Sequence, residues 1–230
     1  MRRVFLGLTG LALLLLATVL EREWRLQLPP RWNPWAPLDV AEAPNWVTRF
    51  KLARLRRDPA LCRQALASSS LHQVAVPDSS PVAGCPIANS VRISSSELAF
   101  SSSFVATCEL AVAFALFEWH GLQPAAREVF GQPVTAIDHL GSFACRSIGG
   151  SQRRSQHASA NALDIAGFRL ADGRRISVAR HWDGEGAEAR FLRLVRDAAC
   201  THFSVTLGPD YNAAHRDHFH VDMGRWRLCR

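Results

Sequence analysis

The sequence predicts an α+β fold, and three observations point there. Hydrophobic residues make up 48% and charged residues 20% of 230 residues, enough to build a core. Apolar stretches of helical period and of strand period are both present. They follow one another in mixed order, without the regular β-α alternation of a parallel sheet. The formal charge of +7 favours anionic partners such as nucleic acid, lipid head groups or wall polymers. No helix-turn-helix, zinc-finger spacing or aromatic-basic repeat accompanies that charge, so no specific nucleic-acid partner is expected.

Taken in order, residues 1–20 open with Met1-Arg2-Arg3 and continue as an apolar run over 4–20. A basic start before an apolar core is an export signal, and the run is just long enough to cross a bilayer as a helix. No small-x-small cleavage site follows, so an uncleaved signal anchor is expected, with a cleaved signal as the alternative. Arg2 and Arg3 place the N-terminus in the cytoplasm and the remainder outside, in the periplasm. Residues 21–58 read as a linker and a short basic helix. Pro29, Pro30, Pro34, Pro37 and Pro44 predict a semi-rigid spacer reaching up to roughly 80 Å from the membrane. The nearby Trp24, Trp32, Trp35 and Trp46 lie either at the membrane interface or on the domain.

The folded domain is expected over 59–230. Residues 104–119 are almost wholly apolar after a serine cap candidate and predict a buried helix. Residues 134–148 predict two short strands broken near Gly141. Residues 163–170 and 174–178 flank Ala171-Asp172-Gly173, a hairpin signal. Helical periodicity runs over 185–200 through Ala189, Leu192, Val195 and Ala199, and strands are expected at 203–207 and 218–223. The six cysteines contain no CxxC pair, and an even number in an exported domain reads as disulfides. Proximity in sequence suggests Cys62–Cys85 and Cys200–Cys229.

The chemistry concentrates late in the chain. His215, His218 and His220 fall within six residues. On a strand His218 and His220 share one face, which suits one metal ligand and one neighbouring catalytic group. Upstream, His157 and Asp164 stand in a His-x6-Asp spacing, which lets a loop bring an imidazole and a carboxylate together. Two histidines and one carboxylate make a three-ligand Zn2+ site with a fourth position free. The other five histidines, His72, His120, His139, His181 and His202, read as packing or surface residues.

The segments SQHASANALD (155–164) and HRDHFHVD (215–222) resemble the zinc metallopeptidases grouped as lysostaphin, D-alanyl-D-alanine peptidases and sonic hedgehog. The order His-x6-Asp, then His-x2-His-x-His, is most similar to the penicillin-insensitive murein endopeptidases. Together with GSFACRS (141–147) and LGPDYNAAHRDHFHVD (207–222), these blocks resemble the bacterial extensin-like C-terminal domain family over about 60–230. The resemblance implies a small antiparallel sheet carrying the zinc site between helices. It implies His157, Asp164 and His220 as ligands, His218 as base or transition-state stabiliser, and His215 as a supporting group. It makes Arg146 the cation that holds a substrate carbonyl or carboxylate, unless it is a solvated surface arginine. Ser155 either binds substrate or caps its loop. Carboxypeptidases of this kind commonly place a glutamate three residues before the last histidine; here that position is Asp217. On a regular strand Asp217 would point away from His218 and His220, so it is read as a supporting residue.

The function expected is a zinc-dependent peptidase acting on peptidoglycan stems or crosslinks, tethered to the inner membrane. The alternative is a zinc-containing wall- or partner-binding module without turnover.

Overall fold

The computed structural model describes residues 10–20 and 28–230. Residues 10–20 are helical with exposed side chains, and no described helix is long and apolar enough to cross a membrane. Residues 1–9 of the expected anchor, and residues 21–27 of the expected linker with Trp24, lie outside the described residues.

Six helices and eleven strands follow. Helices α1 (Thr48–Leu55) and α2 (Pro59–Ala67) precede β1 (His72–Val76), β2 (Ser79–Val82), β3 (Cys85–Ile87), β4 (Ser90–Ser95) and β5 (Ala99–Thr107). Then come α3 (Cys108–Phe117), α4 (Gln123–Phe130), β6 (Val134–Gly141), β7 (Ala162–Leu170) and β8 (Arg175–Ser177). The chain closes with α5 (Val178–His181), α6 (Ala187–His202), β9 (Val205–Leu207), β10 (Phe219–Asp222) and β11 (Leu228–Cys229).

The fold is α+β, but the sheet is larger than the small one expected. It has nine strands in the order β1-β4-β5-β6-β7-β10-β9-β11, with β8 on β7, and β2–β3 form a separate hairpin. Its pairs are antiparallel except β5–β6 and β9–β11. Helix α3 is buried along its whole length and packs against α1, α2 and α6. Phe114, Phe117, Phe168, Phe191 and Phe219 lie at the centre of one core. The apolar stripe foreseen on α6 is buried, from Ala189 to Ala199.

Several expectations need correction. The apolar run over 104–119 is not one helix. Phe104 and Ala106 are buried while Val105 and Thr107 are half-buried, the alternation of a strand, and β5 continues to Thr107. The cap is Thr107, whose hydroxyl accepts the Leu110 N–H, and no serine caps this helix. Residues 134–148 hold one strand, because Gly141 takes φ +113° and turns the chain out of β6. The proline-rich residues 28–46 do not stand off as a spacer. Leu38 and Val40 enter the core cluster, and Lys51 Nζ donates to the Pro30 and Pro37 carbonyls at 2.7 and 3.2 Å. The Pro30 carbonyl, which also accepts the Asn33 N–H at 3.2 Å, and the Pro37 carbonyl thus share one buried ammonium donor. Trp35 packs edge-on against Phe50, whereas Trp46 is largely exposed.

All six cysteines are oxidised. Cys200–Cys229 joins α6 to β11 as expected. The Cys62–Cys85 pairing is incorrect: Cys62 bonds Cys108, and Cys85 bonds Cys145. Packing of α2 on α3 brings Cys62 to Cys108, which neighbouring position in the chain could not reveal.

Candidate metal centre

Three stretches converge on one point: the loop after β6, β7 and β10. Ser155 starts a short 3-10 turn, Gln156–Ser159, and its hydroxyl accepts the His157 N–H at 3.3 Å. Ala160 then adopts φ +53°, a left-handed conformation uncommon for a residue with a Cβ, and redirects the chain into β7. His157 is thereby buried, 2% exposed, and its ring faces inward. Asp164 on β7 and His220 on β10 are direct partners in the antiparallel ladder. A spacing of 56 residues in the chain thus becomes a cross-strand pair.

The donor atoms lie close together. His220 Nδ1 is 2.9 Å from Asp164 Oδ1, and His157 Nε2 is 3.2 Å from Asp164 Oδ1 and 3.1 Å from His220 Nδ1. Metal bonds of about 2.0–2.1 Å in a tetrahedron put neighbouring ligand atoms about 3.3 Å apart. The three distances match that edge to within a few tenths of an ångström.

Hydrogen bonds on the far sides of the rings fix which nitrogens face inward. His157 Nδ1 lies 3.1 Å from the Ser142 carbonyl, which accepts its proton. His220 Nε2 lies 3.1 Å from Asp222 Oδ2, which accepts in the same way. Each neutral ring then turns a lone pair toward the carboxylate of Asp164, so three acceptors meet with no donor between them. Such a point calls for a cation, a proton or a metal ion. Two histidines and a carboxylate, with partners holding both outer N–H groups, fit zinc.

The electrostatics agree. Burial opposes charge on His220, but hydrogen bonds to Asp164 and Asp222 outweigh it and raise its pKa to about 9. Burial pushes Asp164 up, yet the bonds from His157 and His220 hold it well below the usual carboxylate range. Both shifts favour positive charge beside the Asp164 carboxylate, the same condition that a bound cation meets.

The other expected residues surround this point. His218 lies one residue before β10, in the turn. Its Nε2 faces Asp164 Oδ1 at 3.6 Å, and its Nδ1 donates to Asp217 Oδ1 at 2.8 Å. The expectation that Asp217 points away from His218 is therefore wrong, because a turn does not alternate its side chains as a strand does. The His215 ring lies 5.3 Å from that of His218 and 5.9 Å from that of His220. Burial, then the charges of His220 and His218, depress its pKa to about 4. Arg146 is exposed in the loop, and its charge adds to that depression of His215. Its carbonyl accepts the Ser155 N–H at 3.1 Å. Ser155 is buried and caps the His157 turn.

Sequence reasoning missed two contributors, Asp222 and the Ser142 carbonyl. Asp222 was legible in principle, since it stands two residues after His220 on the same strand face. The Ser142 carbonyl carries no side-chain signal. Tyr211, edge-on to His215 at 5.5 Å, was likewise not singled out.

Residues 60–230 match a family model described as Extensin-like protein C-terminus. No curated protein and no solved structure matches the chain.

Proposed function

The chain belongs to the Extensin-like protein C-terminus family, and on that premise we propose that it is a zinc-dependent peptidase acting on peptidoglycan peptide stems or crosslinks outside the cytoplasm. The observation that carries this reading is the meeting of three inward lone pairs on His157, Asp164 and His220, spaced for a tetrahedral ion. The resemblance of the two motif segments to the lysostaphin and D-alanyl-D-alanine peptidase group suggests the reaction class, and a hedgehog-like fold is part of the proposal. Three disulfides suit an oxidising compartment. The +7 charge suits an anionic wall polymer, and residues 1–20 would tether the domain to the inner membrane.

When bound, zinc supplies Lewis-acid polarisation of a carbonyl and acidification of water. His157 Nε2, Asp164 Oδ1 and His220 Nδ1 would hold it. His218 Nε2 takes a proton from the attacking water and returns it to the leaving amine, while Asp217 keeps the Nδ1 proton in place. Arg146 offers positive charge to the carbonyl oxygen or a substrate carboxylate.

Zinc content of the full chain, measured beside cleavage of peptidoglycan fragments, tests this reading. One zinc per chain, lost in His157→Ala/His220→Ala, together with turnover that His218→Ala abolishes, is the expected result. Zinc and wall binding without turnover would leave the binding-module reading. A metal-replete chain without zinc would sink both.

A further inference from the structure

Helix α1 turns an aromatic and basic face to the outside. Trp46, just before the helix, and Arg49, Phe50, Ala53 and Arg57 follow one another at helical spacing and are exposed. Trp46 is 78% and Phe50 45% exposed, while Leu52 and Leu55 face the core. A groove of about 310 Å³ is lined by Arg49 and Ala53 of this helix and by Arg225 and Arg227 from the segment after β10. Trp226, between those two arginines in the chain, is 69% exposed, with the Arg153 guanidinium 5.6 Å from its ring centroid. The only carboxylate among the described residues lining the groove is Glu109, which is buried and paired with Arg56. Arg57, Arg225 and Arg227 have no acidic partner among the described residues.

Indole rings beside unpaired guanidinium groups match the headgroup layer of a bilayer, apolar below and phosphate-rich above. The path of the chain points the same way. Lys51, on the inner side of α1, is bonded to Pro30 and Pro37, so the chain enters the domain beside this helix. From residue 20 to residue 28 the backbone spans at most about 29 Å, at about 3.6 Å per residue. On the tether proposed above, on which this step rests, the domain cannot stand far from the bilayer.

We infer that the face formed by Trp46, Phe50 and Trp226 with Arg49, Arg57, Arg225 and Arg227 docks on the surface of an anionic phospholipid bilayer. This goes beyond the peptidase reading and does not depend on turnover. Arg56, which also lines the groove, donates to the Met223 carbonyl at 2.6 Å, one residue past Asp222. Docking therefore fixes the metal centre relative to the membrane and confines its reach to the adjacent layer.

The test uses the full chain with vesicles of phosphatidylcholine, with or without phosphatidylglycerol, containing brominated acyl chains that quench tryptophan on contact. Quenching should be greater in the anionic vesicles, and the excess should vanish in high salt and in Trp46→Phe/Trp226→Phe. Replacing Arg49, Arg57, Arg225 and Arg227 by glutamine should cut the preference for anionic lipid by about two to three orders of magnitude. If residues 4–20 do not insert, flotation with anionic but not neutral vesicles reads the same docking. Equal quenching in both lipids overturns the inference. So does an excess that survives the tryptophan substitutions, or one that soluble peptidoglycan fragments abolish. Wild type in the two lipids decides the matter even if the arginine variant fails to fold.

Discussion

Asp222→Asn is the sharpest probe of the proposed centre, because it alters a ligand's proton without removing a ligand. Asp222 uses both oxygens: Oδ2 accepts from His220 Nε2 at 3.1 Å, and Oδ1 accepts the Gly224 N–H at 2.7 Å. Asparagine has one oxygen to offer. If it stays on Gly224, the amide N–H faces His220 Nε2, and His220 must carry its proton on Nδ1, where the metal would bind. If the amide flips, the Gly224 N–H loses its acceptor, at a cost of about 1 kcal/mol or more. Removing an outer partner of a metal-bound histidine typically costs about 10–100-fold in affinity, or about 1.4–2.7 kcal/mol. The assay is zinc competition with a chromophoric chelator, run beside urea unfolding of the metal-free chain. The expected outcome is a loss in that range with cooperative unfolding retained. Affinity within about twofold of wild type, in a folded variant, would refute the tautomer argument.

The same geometry carries further predictions. In the metal-free chain, the His220 pKa near 9 is raised above its unfolded value near 6.5. The stability it contributes, on the order of 3 kcal/mol, is full below about pH 6.5 and lost as pH rises through about 9. Urea unfolding across that window should show the decline, and His220→Gln should lack it. Zinc displaces the same proton, so its apparent affinity should climb with pH over that window, which chelator competition at several pH values would measure. His218→Ala should keep zinc while losing about 10²–10⁴-fold in turnover, and Asp217→Asn should lose less while shifting the pH–rate profile. Loss in Asp217→Asn but not in His218→Ala would reverse their roles. Cys85→Ala/Cys145→Ala frees the loop carrying Ser142 and Arg146 and should lower stability by about 2–4 kcal/mol in urea. It should also weaken zinc, because the Ser142 carbonyl that holds His157 is no longer pinned.

The site was more legible in the sequence than the fold around it. Strand alternation places His220 on a known face, and the His-x6-Asp spacing is local, so a short turn suffices to present His157 and Asp164. What pairs Asp164 with His220 is the register of β7 on β10, a long-range property that no window of sequence contains. Residues 72–107 form five strands that gave little sign of themselves, because serine clusters and exposed edges blur the period-two pattern. Helix α4 was missed for a related reason: it continues from α3 through a π-turn, Glu118–Leu122, with no cap to announce its start. The run over 104–119 misled because a buried strand end and a buried helix are both uniformly apolar, and periodicity cannot separate them. The disulfides failed where spatial neighbours are distant in sequence and succeeded where they are near.

The aspartate at position 217, where the resemblance drawn from the sequence leads one to expect glutamate, fits this arrangement. A base acting directly on water must reach the metal. Asp217 instead reaches His218 Nδ1, and its side chain remains half exposed. Its carboxyl is held below the usual range first by that hydrogen bond, so it stays charged and can orient the imidazole. Histidine then occupies the inner position with Nε2 toward Asp164. The division also follows mobility and solvent. The proposed ligands are buried in a short capped turn and two register-locked strands, which suits holding an ion. His215, Asp217 and His218 sit in the turn before β10, nearer to water, which suits groups that must gain and lose protons. Lengthening the carboxylate, as in Asp217→Glu, would push it past Nδ1 and disturb the imidazole. That variant should therefore lose activity rather than regain a second base, with zinc content unchanged.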